Sequence, residues 1–275
     1  MSLLRVSIRG VGLLGPGLAS WTDALPVLRG ESGYVEVAPT LVPPPRLPPA
    51  ERRRAGPTIR LAMAIADAAV HQADVDPATL ATVFAASGGE GSNCHTLCET
   101  LAGPDRHLSP TRFTNSVHNA AAGYWHIAVG SRAASTSLSA YDGSFTAGLI
   151  EAATQVHANG APVLLVACDV PYPEPLNTLR PIPHPMGVAL VLGPADSAHP
   201  AIAEVGIELV ASARAGAPTA CADAGLEALR PRIPAAAALP LLIALARRAA
   251  AEAIVIGGLP ASRLRLSVAP GAAIP

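Results

Sequence analysis

The chain has 275 residues, half of them hydrophobic and only 14% charged, with a formal net charge of -1 at pH 7. That length suits a single large α/β unit with a sizeable core, and the near-zero charge argues against a nucleic-acid partner. No uninterrupted apolar run reaches the roughly 18 residues of a membrane span, and every basic residue is arginine, which excludes a lysine Schiff base or a lysine-dependent phosphate loop.

Arg5 and Arg9 interrupt the only N-terminal stretch that could serve as a signal core, so a cytoplasmic chain is expected. Four cysteines (Cys94, Cys98, Cys168 and Cys221) in a chain this large then point to reduced thiols rather than a disulfide framework. An apolar chain with so little charge also tends to self-associate or to need a partner.

In chain order, Leu3 to Val11 alternates apolar and polar residues and reads as a strand. Gly10, Gly12 and Gly15 formally match GxGxxG. A dinucleotide site needs the third glycine to open a helix and an acid to close the next strand. Pro16 and Gly17 follow instead, the next segment contains Pro26, and Glu36 belongs to no clear βαβ unit, so a structural glycine turn is preferred. Residues 40–56 form a proline-rich loop carrying Arg52, Arg53 and Arg54, a basic run that an acidic partner could meet but that reads first as a solvated loop. Pro57 suits the first turn of a helix to about Gln72, with Ile59, Met63, Ala66 and Val70 as its buried stripe.

Thr82 to Ala86 is a short buried strand that ends in a glycine loop, residues 87–92. Cys94, His95 and Cys98 follow. A structural zinc needs four ligands and no second Cys/His pair lies nearby, so no metal site is assigned, and the two cysteines are expected to pack on one helix face. Ala134 to Ala140 is a small-residue strand, turning sharply at Asp142 and Gly143 into a helix over 144–158 whose buried spacing is Phe145, Leu149, Ala152 and Val156. Strands are expected at 162–168, 186–193, 202–210 and 264–268, and helices at 225–229 and 239–253.

A strand, a tight glycine turn and a helix N-terminus expose one residue beneath free backbone N–H groups, the place where acyl-transfer enzymes put a nucleophile. The stretch from Gly130 to Ala152 resembles the nucleophile turn of the β-ketoacyl synthases of the thiolase superfamily, whose pattern is a small-residue strand, Thr-Ala-Cys, two small residues and a glycine. Upstream, Phe113, Asn119, Ala122 and Gly123 occupy the places of the synthase loop and its Asn-x-x-Ala-Gly helix. The order of elements is similar over about residues 3–193.

The resemblance implies an α/β, thiolase-like layered fold, mostly the N-terminal half: a mixed five-stranded sheet with helices, plus a short C-terminal extension. The expected organisation is a single domain, 1–275, with its core at 3–193 and additional strands and helices at 194–275. Aligning the family glycine on Gly143 puts the nucleophile position at Ala140, or at Ser139 if the turn is one residue longer; neither is cysteine. Asp142 and Gly143 are then the oxyanion-like turn, and Ser135, Thr136, Ser137 and Leu138 form the strand that pairs across the dimer in synthases. The two histidines of a synthase's second half have no counterpart, since the last histidine is His199.

Nucleophile and histidines are missing together. That pattern resembles the chain-length factors, silent ketosynthase relatives that pair with an active subunit, as in aryl polyene and xanthomonadin-type pigment systems. The resemblance implies no catalytic residue, no cofactor and no metal, with a full-length ketosynthase and an acyl carrier protein as partners. Two other classes stay open: a serine acyltransferase or hydrolase using Ser139 or Ser144 with His118 and Asp142, and the dinucleotide-binding protein weighed above.

Overall fold

The computed structural model describes residues 3–195 and 197–271. Its strands are β1 (Leu4–Leu14), β2 (Ala81–Ala85), β3 (Ser135–Leu138), β4 (Val163–Asp169), β5 (Met186–Pro194), β6 (Ala203–Ala211), β7 (Ala251–Ile256) and β8 (Ser262–Pro270). They form one sheet in the order β3-β2-β4-β5-β1-β6-β8-β7. β2 runs parallel to both β3 and β4, and every other neighbour pair is antiparallel. The expected mixed five-stranded sheet is therefore present as β3-β2-β4-β5-β1, and three further strands lengthen it beyond β1. The added strands are all antiparallel neighbours: β7 and β8 are joined by a short link, whereas helices lie in the chain between β6 and β7.

β4 is apolar along nearly its whole length because both of its faces are covered. Val163, Leu165 and Ala167 join one core cluster; Leu164, Val166 and Cys168 join the other. The first cluster lies under α7 (Ser144–Asn159), which buries Phe145, Leu149, Ala152 and Val156 as their spacing predicts. α1 (Trp21–Arg29), α10 (Ala224–Leu229) and α11 (Leu239–Arg247) add Trp21, Leu28, Leu226, Leu241 and Leu245 to the same side. The second cluster lies under α3 (Pro57–Ala73), with Ile59, Met63, Ala66 and Val70, and under α6 (Ala120–Val129), which inserts Trp125. The remaining helices are α4 (Gly91–Ala102) and the short α2 (Pro49–Arg54), α5 (Pro110–Asn115), α8 (Leu176–Leu179) and α9 (Ser212–Ala215).

Three expectations are corrected. The GxGxxG stretch is not a turn: β1 runs through Gly10 and Gly12, and the glycines let α3 lie directly on the strand. A Cβ at Gly12 would fall 1.8 Å from the Ile65 carbonyl oxygen, and one at Gly10 2.1 Å from that of Ala69. The helix expected over 239–253 stops at Arg247, because Arg248 takes a left-handed φ of 49° and the chain then pairs as β7 with β8. The arginine run is the last turn of α2 rather than a loop; Arg52 folds back onto the Pro45 and Leu47 carbonyls, while Arg53 and Arg54 stay exposed.

Candidate functional site

β3 closes one end of the sheet. Its inner edge pairs with β2, from Thr82 opposite Ser135 to Ala85 opposite Leu138. Its outer edge meets no strand among the described residues. Thr136 accepts a bond from Gln155 of α7 at 3.1 Å, whereas Ser135 accepts one from Thr82 at 2.8 Å, so successive side chains alternate between the two faces. All four residues remain at least partly exposed.

Beyond β3 the chain passes through Ser139 and Ala140 into a single 3-10 turn, Tyr141–Gly143, and then α7. Tyr141 holds a left-handed φ of 53°, an unusual conformation for a bulky side chain that concentrates at functional turns. Its ring stands at the apex, 61% exposed. Ala140, at φ -138° and ψ 39°, lies one residue before the apex, and Ser139 two before it. Gly143 supplies close approach rather than positive φ: a Cβ there would lie 2.4 Å from the Gly258 carbonyl oxygen. The Gly143 N–H donates to the Ala140 carbonyl at 2.9 Å, so it is not free to stabilise an oxyanion.

Arg180, after α8, locks the turn. Its guanidinium lies 3.7 Å from the centroid of the Tyr141 ring, forms an ion pair with Asp142 and donates to the Tyr172 hydroxyl. The Tyr172 hydroxyl in turn lies 2.8 Å from Ser87 Oγ. Beneath them, the buried Asp169 at the end of β4 accepts from the Ser87 N–H at 2.8 Å and from the Ala235 N–H at 2.9 Å. Burial pushes the Asp169 carboxyl above its ordinary range, against the pull of those two N–H groups. Arg180→Ala removes a cation–π contact and a partly exposed ion pair, so it is expected to lower the unfolding free energy by about 1–2 kcal/mol in urea denaturation. An unchanged midpoint would show that the stack holds nothing in place.

The serine-hydrolase constellation does not assemble. Ser144 Oγ is buried and donates to the Tyr141 carbonyl at 2.8 Å while accepting from the Ala140 N–H at 3.0 Å, bonds that fasten the turn ahead of α7. Asp142 is held by Arg180, Ser139 donates to the Ser87 carbonyl at 3.3 Å, and His118 is exposed with no hydrogen bond to any of them among the described residues. Gly15 opens no helix, and Glu36 pairs with His184 and Arg232 at 3.3 and 3.5 Å.

Cys94 and Cys98 do not pack into the core as expected. α4 buries Leu97, and both thiols face outward onto a groove of about 360 Å³ that Gly89, His118 and Tyr172 also line. Partial desolvation and the neighbouring Cys98 raise the Cys94 thiol above its ordinary range. Among the described residues, no cluster of three or more His, Cys, Asp or Glu side chains could hold a metal ion, and no helix is long and apolar enough to cross a membrane.

A sheet covered on both faces by helices, with a parallel strand leading through a strained turn into a buried helix, is the N-terminal architecture of the thiolase-like ketosynthases. The model of the beta-ketoacyl synthase N-terminal domain matches residues 31–231, and the chain belongs to that family. No curated protein matches it by sequence. Solved structures share its fold almost end to end. A ketosynthase (ApeO) in complex with its chain length factor (ApeC) from Xenorhabdus doucetiae superposes with a TM-score of 0.72 at 22% identity, over 96% of this chain and 99% of the matched one. The ishigamide ketosynthase/chain length factor gives 0.72 at 14% identity, over 96% and 99%. A type II PKS acyl-carrier protein in complex with its ketosynthase bound to the hexaketide (AntDE:AntF) gives 0.72 at 13%, over 97% and 99%.

Tyr141, which stands at the apex of the turn, was not among the residues the sequence singled out. Arg180 carried no sequence signal, lying 38 positions from Asp142 in a proline-punctuated loop.

Proposed function

We propose that the chain is a catalytically silent ketosynthase-like subunit, a chain-length factor that pairs with an active β-ketoacyl synthase during carrier-bound acyl-chain building of the fatty-acid or polyketide type, aryl polyenes included. The observation that carries this reading is Tyr141: its aromatic ring, clamped by Arg180, fills the apex of the turn between β3 and α7. Assigning the nucleophile position to Tyr141, in preference to Ala140 or Ser139, is part of the proposal. Support also comes from the likeness to ketosynthase/chain length factor structures and from the unpaired outer edge of β3. The strand Ser135–Leu138 is the proposed pairing strand, and the exposed Arg53 and Arg54 are the proposed contact for an acidic carrier protein.

Tyr141→Cys tests the silent role. A thiol at the N-terminus of α7 gains acidity from the helix and is expected to accept an acyl group, seen as a mass increase. Extension with malonyl-carrier protein is expected to stay absent, because an enolate needs stabilising donors and no histidine follows His199. Steady carbon dioxide release from malonyl-carrier protein, by either the wild type or this variant without a synthase, would refute the reading.

A further inference from the structure

Arg9 is the extra residue of a β-bulge. Ile8 faces Leu192 of β5 and Gly10 faces Val191, so two steps along β1 match one along β5. Bulges re-aim a side chain and recur beside functional sites. Here the bulge lays Arg9, a residue only 6% exposed, flat against Gly193, where a Cβ would fall 2.3 Å from Arg9 Cζ and Nε. Arg9 Nε donates to Ser7 Oγ at 3.4 Å, and Ser7 passes its own proton to the Pro194 carbonyl at 3.1 Å. Arg9 Nη2 donates to Ser197 Oγ at 3.1 Å. Both partners are neutral, and no carboxylate of the described residues pairs with the charge.

Such a group is an exception, since buried charges are normally paired. Arg9 lines a cavity of about 520 Å³ together with Gln72, Thr79 and His199, and with Asp74 and Asp76, both exposed to solvent. Gln72 Oε1 is taken by the Val11 N–H at 2.7 Å and Asp76 Oδ1 by the Ala78 N–H at 3.0 Å. The cavity also touches Leu80 and Pro162, at the N-terminal ends of β2 and β4, whereas the Tyr141 turn follows the opposite end of β3. It is separate from the candidate site.

We propose that this cavity binds a small oxyanion, a carboxylate or phosphate group, on the Arg9 guanidinium. The planar fork matches two oxygens of one anion, and a bound anion supplies the counter-charge that the described residues do not.

The test is isothermal titration of the full chain with inorganic phosphate and, separately, acetate, at ionic strength held constant with chloride. At least one is expected to bind saturably, and the stronger of the two identifies the class. Arg9→Met is expected to weaken that binding at least tenfold, and Arg9→Lys, which keeps the charge and loses the fork, to weaken it less. If Arg9→Met does not fold, Ser197→Ala, which removes the anchor on Nη2, is expected to weaken binding about threefold by loosening the fork. Absence of saturable binding by either anion overturns the proposal. So does equal binding by wild type and the folded variant.

Discussion

Ser137→Glu is expected to abolish pairing with a ketosynthase while leaving the chain itself folded. Ser137 sits in the middle of β3, half-exposed, with its backbone on an edge that no strand of the described residues covers. An edge strand left open presents unpaired N–H and C=O groups and invites a partner strand. In the proposed heterodimer that edge becomes the centre of an interface of roughly 2,000 Å² or more in total. A carboxylate introduced there must leave water without a counter-charge, which costs several kcal/mol. The free chain keeps the new side chain hydrated, so its urea midpoint should move little. Size-exclusion chromatography of the co-expressed pair separates the outcomes: two separate peaks are expected for the variant, and a persistent single complex would move the interface elsewhere.

The second large effect is predicted in the core. Gly12→Val should leave the chain largely unfolded. At this position φ is not the constraint; space is. Any Cβ lies 1.8 Å from the Ile65 carbonyl oxygen, 2.7 Å from its carbon and 3.0 Å from its Cα, all backbone atoms that cannot rotate away. α3 must then lift from β1, and with it go the contacts of Ile59, Met63, Ala66 and Val70 with the sheet. Overpacking a tight core costs about 1–3 kcal/mol when side chains can yield. Moving a whole helix raises this to on the order of 5 kcal/mol, comparable with the stability of an ordinary domain. Circular dichroism during denaturation measures it, and a shift under about 1 kcal/mol would mean that α3 does not press on the strand as described.

The same glycine explains how far the sequence could be read. Gly10 and Gly12 were visible as special positions, but a helix crossing from residues 57–73 is a non-local fact, so the pattern read as a turn. Signals within one element were legible: the nearly all-apolar β4, the buried stripes of α3 and α7, and the turn at Asp142 and Gly143 all lie where their residues place them. Where local preference and pairing conflict, pairing prevailed. The alanine-rich stretch after Arg248 favours helix by composition, yet its ladder with β8 makes it a strand. The clamp on the turn was illegible for a similar reason, because Arg180, Tyr172 and Ser87 come together only when β2, β4 and the proline-rich loop are folded.

The clamp also links the fold to the proposed role. An active turn must leave its apex open to an acyl chain; here the apex holds an aromatic ring in a strained conformation with a cation stacked upon it. Strain of this kind persists only where the surroundings hold it, and the Asp142 and Tyr172 contacts to Arg180 do so.

Co-expression of the wild-type chain with a full-length β-ketoacyl synthase from the same gene neighbourhood, followed by size-exclusion chromatography with mass determination, tests the central claim most directly. The account predicts one peak containing both chains in equal amounts. Elution of this chain as a folded monomer, with the synthase separately as its own homodimer, would contradict it.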